Sequence, residues 1–279
     1  MQEEIVVKAP TTEALTPAQI TQKAEGLGVT KTEMSFGRSF ALSIMAGAFI
    51  AMGAMFFSLV VGDPALPFAI QRVLGGFLFC LGLILVVVAG AELFTGNTMI
   101  VMTAASKRIK WSAVWKNWIV VFFGNFLGAL VIVGLVFLSD MSAMNGGQVG
   151  QTMVSVAAGK MHADWLVLFA KGIMCNFLVC LGVWMAYASK TVTDKILAVV
   201  FPITAFVACG FEHCVANMFF LPMGALLASC GIAPAGIDPA SVNMLGALYN
   251  WSATVPGNIV GGALMVGMMY WFIYRKKKN

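Results

Sequence analysis

A glutamate, a histidine and an asparagine share the eight residues Gly210-Phe211-Glu212-His213-Cys214-Val215-Ala216-Asn217, inside an apolar run from Ile196 to Ala228. An imidazole beside a carboxylate can transfer a proton or donate a hydrogen bond to an anion. At hydrocarbon depth a charged side chain costs roughly 2.5–3.5 kcal/mol. Such groups therefore belong on a broken span that faces a protein-lined cavity. A second stretch, Gly90-Ala91-Glu92-Leu93-Phe94-Thr95-Gly96-Asn97, interrupts the apolar run from Gly75 to Met102. Both fit Gly-x-Glu-x-x-x-x-Asn, the later copy displaced by 120 positions (210 − 90).

Positioning these groups takes a bundle of spans, and the composition supplies one. The chain has 279 residues, is 60% hydrophobic and 10% charged, and has a mean hydropathy of +0.89. Soluble domains carry about 25% charged residues, so this is the composition of an integral membrane protein. Apolar segments run roughly Ser39–Val61, Ala69–Ala89, Ala113–Leu138, Trp165–Ala188, Ile196–Ala228 and Asn250–Tyr274. Each reaches the roughly 20 residues that cross the hydrocarbon, which predicts six crossings. The fifth contains Pro202 and Pro222, as a broken, partly re-entrant span would. The polar stretch from Met1 to Ser35 predicts no cleavable signal peptide. Within it, Thr16-Pro17-Ala18-Gln19 reads as a capped helix start, opening a surface helix to about Gly26.

Lysine and arginine placement gives the orientation. With the N-terminus inside, Lys107, Arg108, Lys110, Lys116, Lys190, Lys195 and the tail from Arg275 to Lys278 share the cytoplasmic side. Asp63, Asp140, Asp164 and Asp238 fall opposite, with Lys160 the loop cation there. Both termini are expected in the cytoplasm, and the net charge of +5 reflects topology and attraction to the lipid surface; no nucleic-acid partner is expected. The six cysteines form no C-x-x-C pair and read as small core residues. No metal or other cofactor is expected.

Two further matches accompany the repeated break. Gly124-Asn125-x-x-Gly128 recurs as Gly257-Asn258-x-x-Gly261, displaced by 133, and Ile44-Met45 as Ile173-Met174, displaced by 129. Three matches in one order argue for an internal duplication. A unit of three crossings is odd, so two copies in sequence point in opposite directions, the arrangement that places a transport site where two breaks meet. The residues thus predict an all-α integral membrane fold of two inverted three-helix repeats, at about 39–138 and 165–274, with the second and fifth helices broken. Residues 1–36 would be a cytoplasmic helix and lead-in, 37–274 the transmembrane channel domain, and 275–279 a basic tail.

The segments Gly90 to Thr98, Lys171 to Cys180 and Gly210 to Met218 resemble the signature segments of the formate/nitrite transporter family, a likeness extending over about Ser39 to Tyr274. The resemblance implies an aquaporin-like six-span protomer in a homopentamer of independent pores, in a cytoplasmic (inner) membrane. By position, His213 resembles the central pore histidine and Thr95 its partner. Asn176 resembles a pore-lining asparagine, and Lys160 the lysine at the periplasmic mouth. Glu212 and Asn217 match the supports of the histidine loop. Phe79, Leu83, Leu93 and Phe206 match the apolar constrictions. Formate-channel members show Asp-Leu-Phe-Thr-Ser at the first break, whereas Glu92-Leu93-Phe94-Thr95-Gly96 is closer to nitrite and hydrosulfide branches.

The expected function is passage of a small monovalent weak-acid anion, formate first and nitrite or hydrosulfide next, together with protons. Positive potential at the mouths attracts the anion, apolar rings oppose its charge, and His213 supplies a proton or a hydrogen bond. Thr95 has a second reading as the cap of the following half-helix, and Glu212 as a structural acceptor for loop N–H groups. An aquaporin-like neutral-solute channel shares the architecture, but neither break reads Asn-Pro-Ala. An enzyme would need a nucleophile–base set, which the sequence does not offer.

Overall fold

The computed structural model describes residues 13–275, and these are helical throughout with no strand among them. Residues 276–279 of the expected basic tail lie outside the described residues. The helices are α1 (Pro17–Glu33), α2 (Phe36–Val61), α3 (Phe68–Leu85), α4 (Phe94–Asn97), α5 (Val101–Ala105), α6 (Trp111–Leu138), α7 (Gln148–Met161), α8 (Trp165–Ala188), α9 (Val192–Ala208), α10 (Cys214–Ser229), α11 (Met244–Ile259) and α12 (Met269–Tyr274). A π-helical turn, Val86–Gly90, extends α3, a 3-10 turn joins α4 to α5, and π-helical Val260–Met268 fuses α11 to α12. Five helices, Phe36–Val61, Phe68–Gly90, Trp111–Leu138, Trp165–Ala188 and Met244–Tyr274, are long and apolar enough to cross a membrane; α9 has 17 residues.

Both breaks fall where the repeated motif begins, at a glycine and not at a proline. Gly90 (φ +86°) and Gly210 (φ +71°) take the left-handed conformation, which reverses the chain without the Cβ clash other residues meet. Extended residues follow, and then a new helix starts at Phe94 or Cys214. Pro202 and Pro222, expected to mark the break in the fifth run, lie inside α9 and α10.

Small residues let the spans approach to backbone contact, which matters in lipid because no hydrophobic effect drives helices together there. A Cβ on Gly128 would collide with the Ile44 carbonyl, and one on Gly261 with the Ile173 carbonyl. These two contacts are related by the displacements already seen, 133 on the glycine and 129 on the carbonyl, so the duplication extends to helix packing.

Two surface helices differ from expectation. The first, α1, runs on through Gly26 to Glu33, because Gly28 seats against the Thr103 side chain of α5 and tertiary packing overrides glycine's weak helix propensity. At its start Gln19 Oε1 accepts from the Thr16 N–H at 2.8 Å, which is the glutamine half of the anticipated cap. The second, α7, folds a stretch read as loop, and it carries Lys160. Four of the six cysteines are buried, but Cys209 and Cys230 are exposed, each at the turn that ends a helix.

Candidate functional site

The site begins with two buried asparagines. Asn125 of α6 donates to the carbonyls of Ser43 (2.7 Å) and Glu92 (2.9 Å) and accepts from the Phe94 N–H (2.9 Å). Asn258 of α11 donates to the carbonyls of Gly172 (2.8 Å) and Glu212 (2.8 Å) and accepts from the Cys214 N–H (2.9 Å). Each amide thus satisfies backbone groups that its break has freed and ties the half-helix start to two neighbouring spans. The loop N–H of Glu92 reaches the Leu42 carbonyl, and that of Glu212 the Lys171 carbonyl.

On this frame the two buried glutamates sit in equivalent networks. Glu92 Oε1 pairs with Lys31 Nζ at 2.7 Å, and Glu92 Oε2 accepts from Asn97 (2.8 Å), which also donates to Asn117 (2.9 Å). Glu212 Oε1 pairs with Lys160 Nζ at 2.9 Å, and Glu212 Oε2 accepts from Asn217 (2.7 Å), which also donates to Asn250 (2.8 Å). Lysine and asparagine side chains therefore satisfy both glutamate carboxylates; at Glu212 they stand where loop N–H groups were expected. Lys160 is not a solvated loop cation: its ammonium is mostly buried in this pair and lies 5.6 Å from the Phe220 ring centroid.

The breaks meet at Thr95 and His213, where Thr95 Oγ1 lies 3.0 Å from His213 Nε2. His213 Nδ1 accepts from the Ala216 N–H at 3.0 Å, capping α10. That bond uses the Nδ1 lone pair, so the ring proton sits on Nε2 and the imidazole is neutral. Nε2–H then donates to the threonine oxygen, leaving the hydroxyl hydrogen free to donate elsewhere. Thr95 does not cap its half-helix; Leu93 holds the N-cap position. The His213 ring stacks on Phe206 with centroids 5.8 Å apart.

Two cavities flank this pair. One, of about 260 Å3, is lined by Lys160 of α7 together with Arg72, Lys171, Phe79, Phe206 and His213. The other, of about 550 Å3, is lined by Lys23 and Lys31 of α1 together with Arg38, Lys195, Leu83 and Leu93. Below they are the α7 and α1 vestibules. They lie at opposite ends of α3, which lines the first near Arg72 and the second from Leu83 to Gly90. The antiparallel α9 lines the second with Lys195 and the first with Phe206. The expected constriction residues are all buried and divide in two. Phe79 and Phe206 meet edge to face, centroids 5.7 Å apart, on the α7 side, while Leu83 and Leu93 stand on the α1 side.

Asn176, expected to line the pore, is like Thr95 on the wall of neither vestibule. Its amide donates to the carbonyls of Thr95 (3.2 Å) and Asn258 (2.6 Å), so it joins the first break to α11. The cation that the sequence reading missed is Lys31. Its signal was present: Lys31 precedes Lys160 by 129 positions, the displacement of the Ile44 match. Asn117 and Asn250 were overlooked in the same way, at the displacement of 133 that relates Asn125 to Asn258. In the α1 vestibule the cations feel one another: burial first, then Lys195 and Lys190, lowers the Lys23 pKa from the ordinary lysine value.

A formate/nitrite transporter family profile matches residues 18–272. Formate channel FocA of Escherichia coli is 39% identical over 275 residues, covering 95% of this chain and 96% of its own length. The protein of the same name from Haemophilus influenzae is 39% identical over 264 residues, covering 91% and 93%. A solved structure described as a pentameric formate channel with formate bound superposes with a TM-score of 0.77 at 38% identity, covering 86% of this chain and 98% of that one.

Proposed function

Because the chain belongs to the formate/nitrite transporter family, we propose that it passes formate through the interior of each protomer, between the α1 and α7 vestibules, by way of the Thr95–His213 pair. It is a multi-pass membrane channel protein and not an enzyme. The observation that carries the reading is the 3.0 Å contact between Thr95 and His213, made where the two breaks meet and flanked by apolar pairs on either side.

The mechanism follows from charge and dielectric. Lys31 and Lys160, with their neighbouring cations, draw a monovalent anion into either mouth. The ring pair Phe79–Phe206 and the pair Leu83–Leu93 then oppose it, since desolvating an ion costs several kcal/mol. Low dielectric favours the neutral acid form of the substrate, and a strong hydrogen bond lowers the cost for whatever charge remains. The resting His213 presents no spare proton, because its Nε2–H is directed at Thr95 and its Nδ1 accepts a backbone hydrogen. The group offered to the substrate is accordingly the Thr95 hydroxyl, oriented and polarised by His213. A proton that crosses arrives with the substrate or through water.

The α9 helix counts as the sixth crossing in this reading, with α4–α5 and α10 as the half-spans. The protein works as a homopentamer in the cytoplasmic (inner) membrane, with α1 and both termini in the cytoplasm and the α7 vestibule facing outward. Arg38, Lys107, Arg108, Lys110 and Lys116 on the α1 side support that orientation. The direct test is flux into proteoliposomes for formate, nitrite, hydrosulfide, lactate and water. Formate passage well above lactate and water is expected; preference for nitrite or hydrosulfide would follow the Glu92 and Gly96 motif instead, and water flux without anion flux would refute the reading.

A further inference from the structure

Outside the pore, a cavity of about 660 Å3 opens where α1, the turn after α5 and the end of α12 converge, and its walls include Glu25, Lys107, Arg108, Trp271, Tyr274 and Arg275. A relay of hydrogen bonds builds one wall: Trp271 Nε1 donates to Ser106 Oγ at 2.7 Å, and Ser106 donates to Glu25 Oε1 at 2.5 Å. The other Glu25 oxygen lies 3.7 Å from Arg108. The single carboxylate is therefore already engaged, while Lys107 and Arg275 pair with no carboxylate among the described residues.

Two features of the backbone and packing indicate that these charges are there to bind something. Lys107 stands at φ +58°. Its N–H bonds the Ala104 carbonyl and the Arg108 N–H bonds the Thr103 carbonyl, which is the helix ending that glycine serves best. A lysine there is strained relative to glycine, so the helix stop does not account for it and its charge is the remaining reason. The Arg275 guanidinium carbon lies 4.8 Å from the Trp271 ring centroid and 5.5 Å from that of Phe272. Cation–π contact with the two rings holds it at the notch, and a guanidinium takes phosphate oxygens in pairs.

The setting separates a lipid from a soluble anion. Phe272 and Ile273, on the same turn as Trp271, are 65% and 55% exposed at the end of an apolar span, while Trp271 and Tyr274 are rings of the kind that sit at the boundary between hydrocarbon and water. We propose that this notch binds the phosphate headgroup of an anionic phospholipid, held by Lys107 and Arg275 with its acyl chains along the exposed face of α12. Since Thr21, Gln22 and Glu25 of α1 also line the notch, the lipid fastens α1, which carries Lys31, to the bundle.

The test uses the intact assembly in detergent, titrated with phosphatidylglycerol or phosphatidylcholine and read by native mass spectrometry. The double variant Lys107→Gly, Arg275→Gln removes two charges while giving the turn its preferred residue, so folding is not at risk from that position; size exclusion checks assembly. Each cation near an anionic surface contributes about fivefold, so the variant should bind phosphatidylglycerol roughly 30-fold more weakly, with phosphatidylcholine unchanged. Equal retention of phosphatidylglycerol by both proteins overturns the proposal. Displacement of the lipid by millimolar inorganic phosphate overturns the lipid assignment and makes the notch a soluble phosphate site.

Discussion

At the first break Lys31 reaches two partners, Glu92 Oε1 and, at 2.8 Å, Asn97 Oδ1; at the second Lys160 holds Glu212 alone, and Asn217 Oδ1 has no hydrogen-bond partner among the described residues. The second break adds bonds from Asn250 to Glu212 Oε2 (3.3 Å) and to the Lys160 carbonyl (3.0 Å). The asparagine–loop bonds and the glutamate–lysine and glutamate–asparagine bonds repeat within a few tenths of an ångström. The breaks part at the residues between. Leu93 and Thr95 of the first correspond to His213 and Val215 of the second, each 120 positions later. Duplication supplied a symmetrical scaffold, and departure from symmetry placed one hydroxyl and one imidazole across the same gap. The scaffold is concerned with stability, the departure with transport, and substitutions can separate the two.

The largest effects should come from the shared scaffold. Asn125→Leu and Asn258→Leu each leave one break N–H, of Phe94 or Cys214, and one break carbonyl, of Glu92 or Glu212, without this partner, at about 1–3 kcal/mol apiece. Each variant should therefore lose roughly 2–6 kcal/mol, or fail to assemble. Denaturation in mixed micelles should find the two losses equal to within about 1 kcal/mol, because their bonds match in number and length. A large difference would mean that the breaks are not equivalent supports.

Next comes the departure. His213→Leu makes the second break like the first, and Thr95→Val makes the first like the second. Either leaves the asparagine network intact, so assembly should survive. Formate flux should fall on the order of 100-fold, which corresponds to about 2.7 kcal/mol of lost anion stabilisation. His213→Asn retains a side-chain donor toward Thr95 and should keep most of the downhill flux. If His213→Leu transports at the native rate, the histidine is only the cap of α10 that its bond to Ala216 provides.

Much of this was legible in the sequence, for a physical reason. Polar residues at hydrocarbon depth have few tolerable settings, so Glu92, Asn97, Glu212, His213 and Asn217 stood out against an apolar background, and their spacing disclosed the duplication. Lys31, Asn117 and Asn250 did not stand out, because a lysine on a polar surface helix and an asparagine near a span end are unremarkable until a partner is seen. Asn176 is a different case: a buried asparagine at pore depth can serve the pore or the backbone, and the sequence alone does not disclose that its amide bonds Thr95, Thr98 and Asn258. The helix α7 was missed since its mixed sequence is ordered by packing on α10, where Gly224 meets Ala157.

A smaller contrast concerns the two lysines. Lys31→Gln removes charge-assisted bonds to Glu92 and Asn97, and Lys160→Gln removes one, to Glu212. Breaking a well-buried pair costs about 3–5 kcal/mol; here both ammonium groups keep some contact with water, at 19% and 17% exposure, so the losses should be smaller. The difference between them should be about 1–2 kcal/mol, with Lys31→Gln the less stable, since one further hydrogen bond to a charged group is lost. Thermal unfolding of the two variants side by side measures this. The reverse order would show that the buried, unpartnered Oδ1 of Asn217 already weakens the α7 side.

The smallest expected effect is on rate and concerns the charges that surround the pairs. In the α1 vestibule Lys23, Arg38 and Lys195 pair with no carboxylate among the described residues, and the Lys23 pKa is lowered first by burial and then by Lys195 and Lys190. In the α7 vestibule Arg72 is committed, through Nε and Nη, to the carbonyls of Ala208 and Val207 at 2.9 and 2.8 Å. It pins the end of α9 beside Phe206, and two α9 carbonyl dipoles partly offset its charge. Anion capture should therefore depend more on long-range attraction at the α1 mouth. Raising ionic strength from about 0.01 to 0.15 M shortens the screening length from about 30 to 8 Å, so formate entry from the α1 side should slow a few-fold more than entry from the α7 side. Vesicles of both orientations, with stopped-flow formate uptake at each salt concentration, give the two slopes. Arg38→Gln combined with Lys195→Gln should remove most of the difference without altering the selectivity for formate over lactate, which belongs to the apolar pairs and Thr95. Equal slopes in the native protein would mean that the buried lysines alone, screened little by salt, set the rate of capture at both mouths.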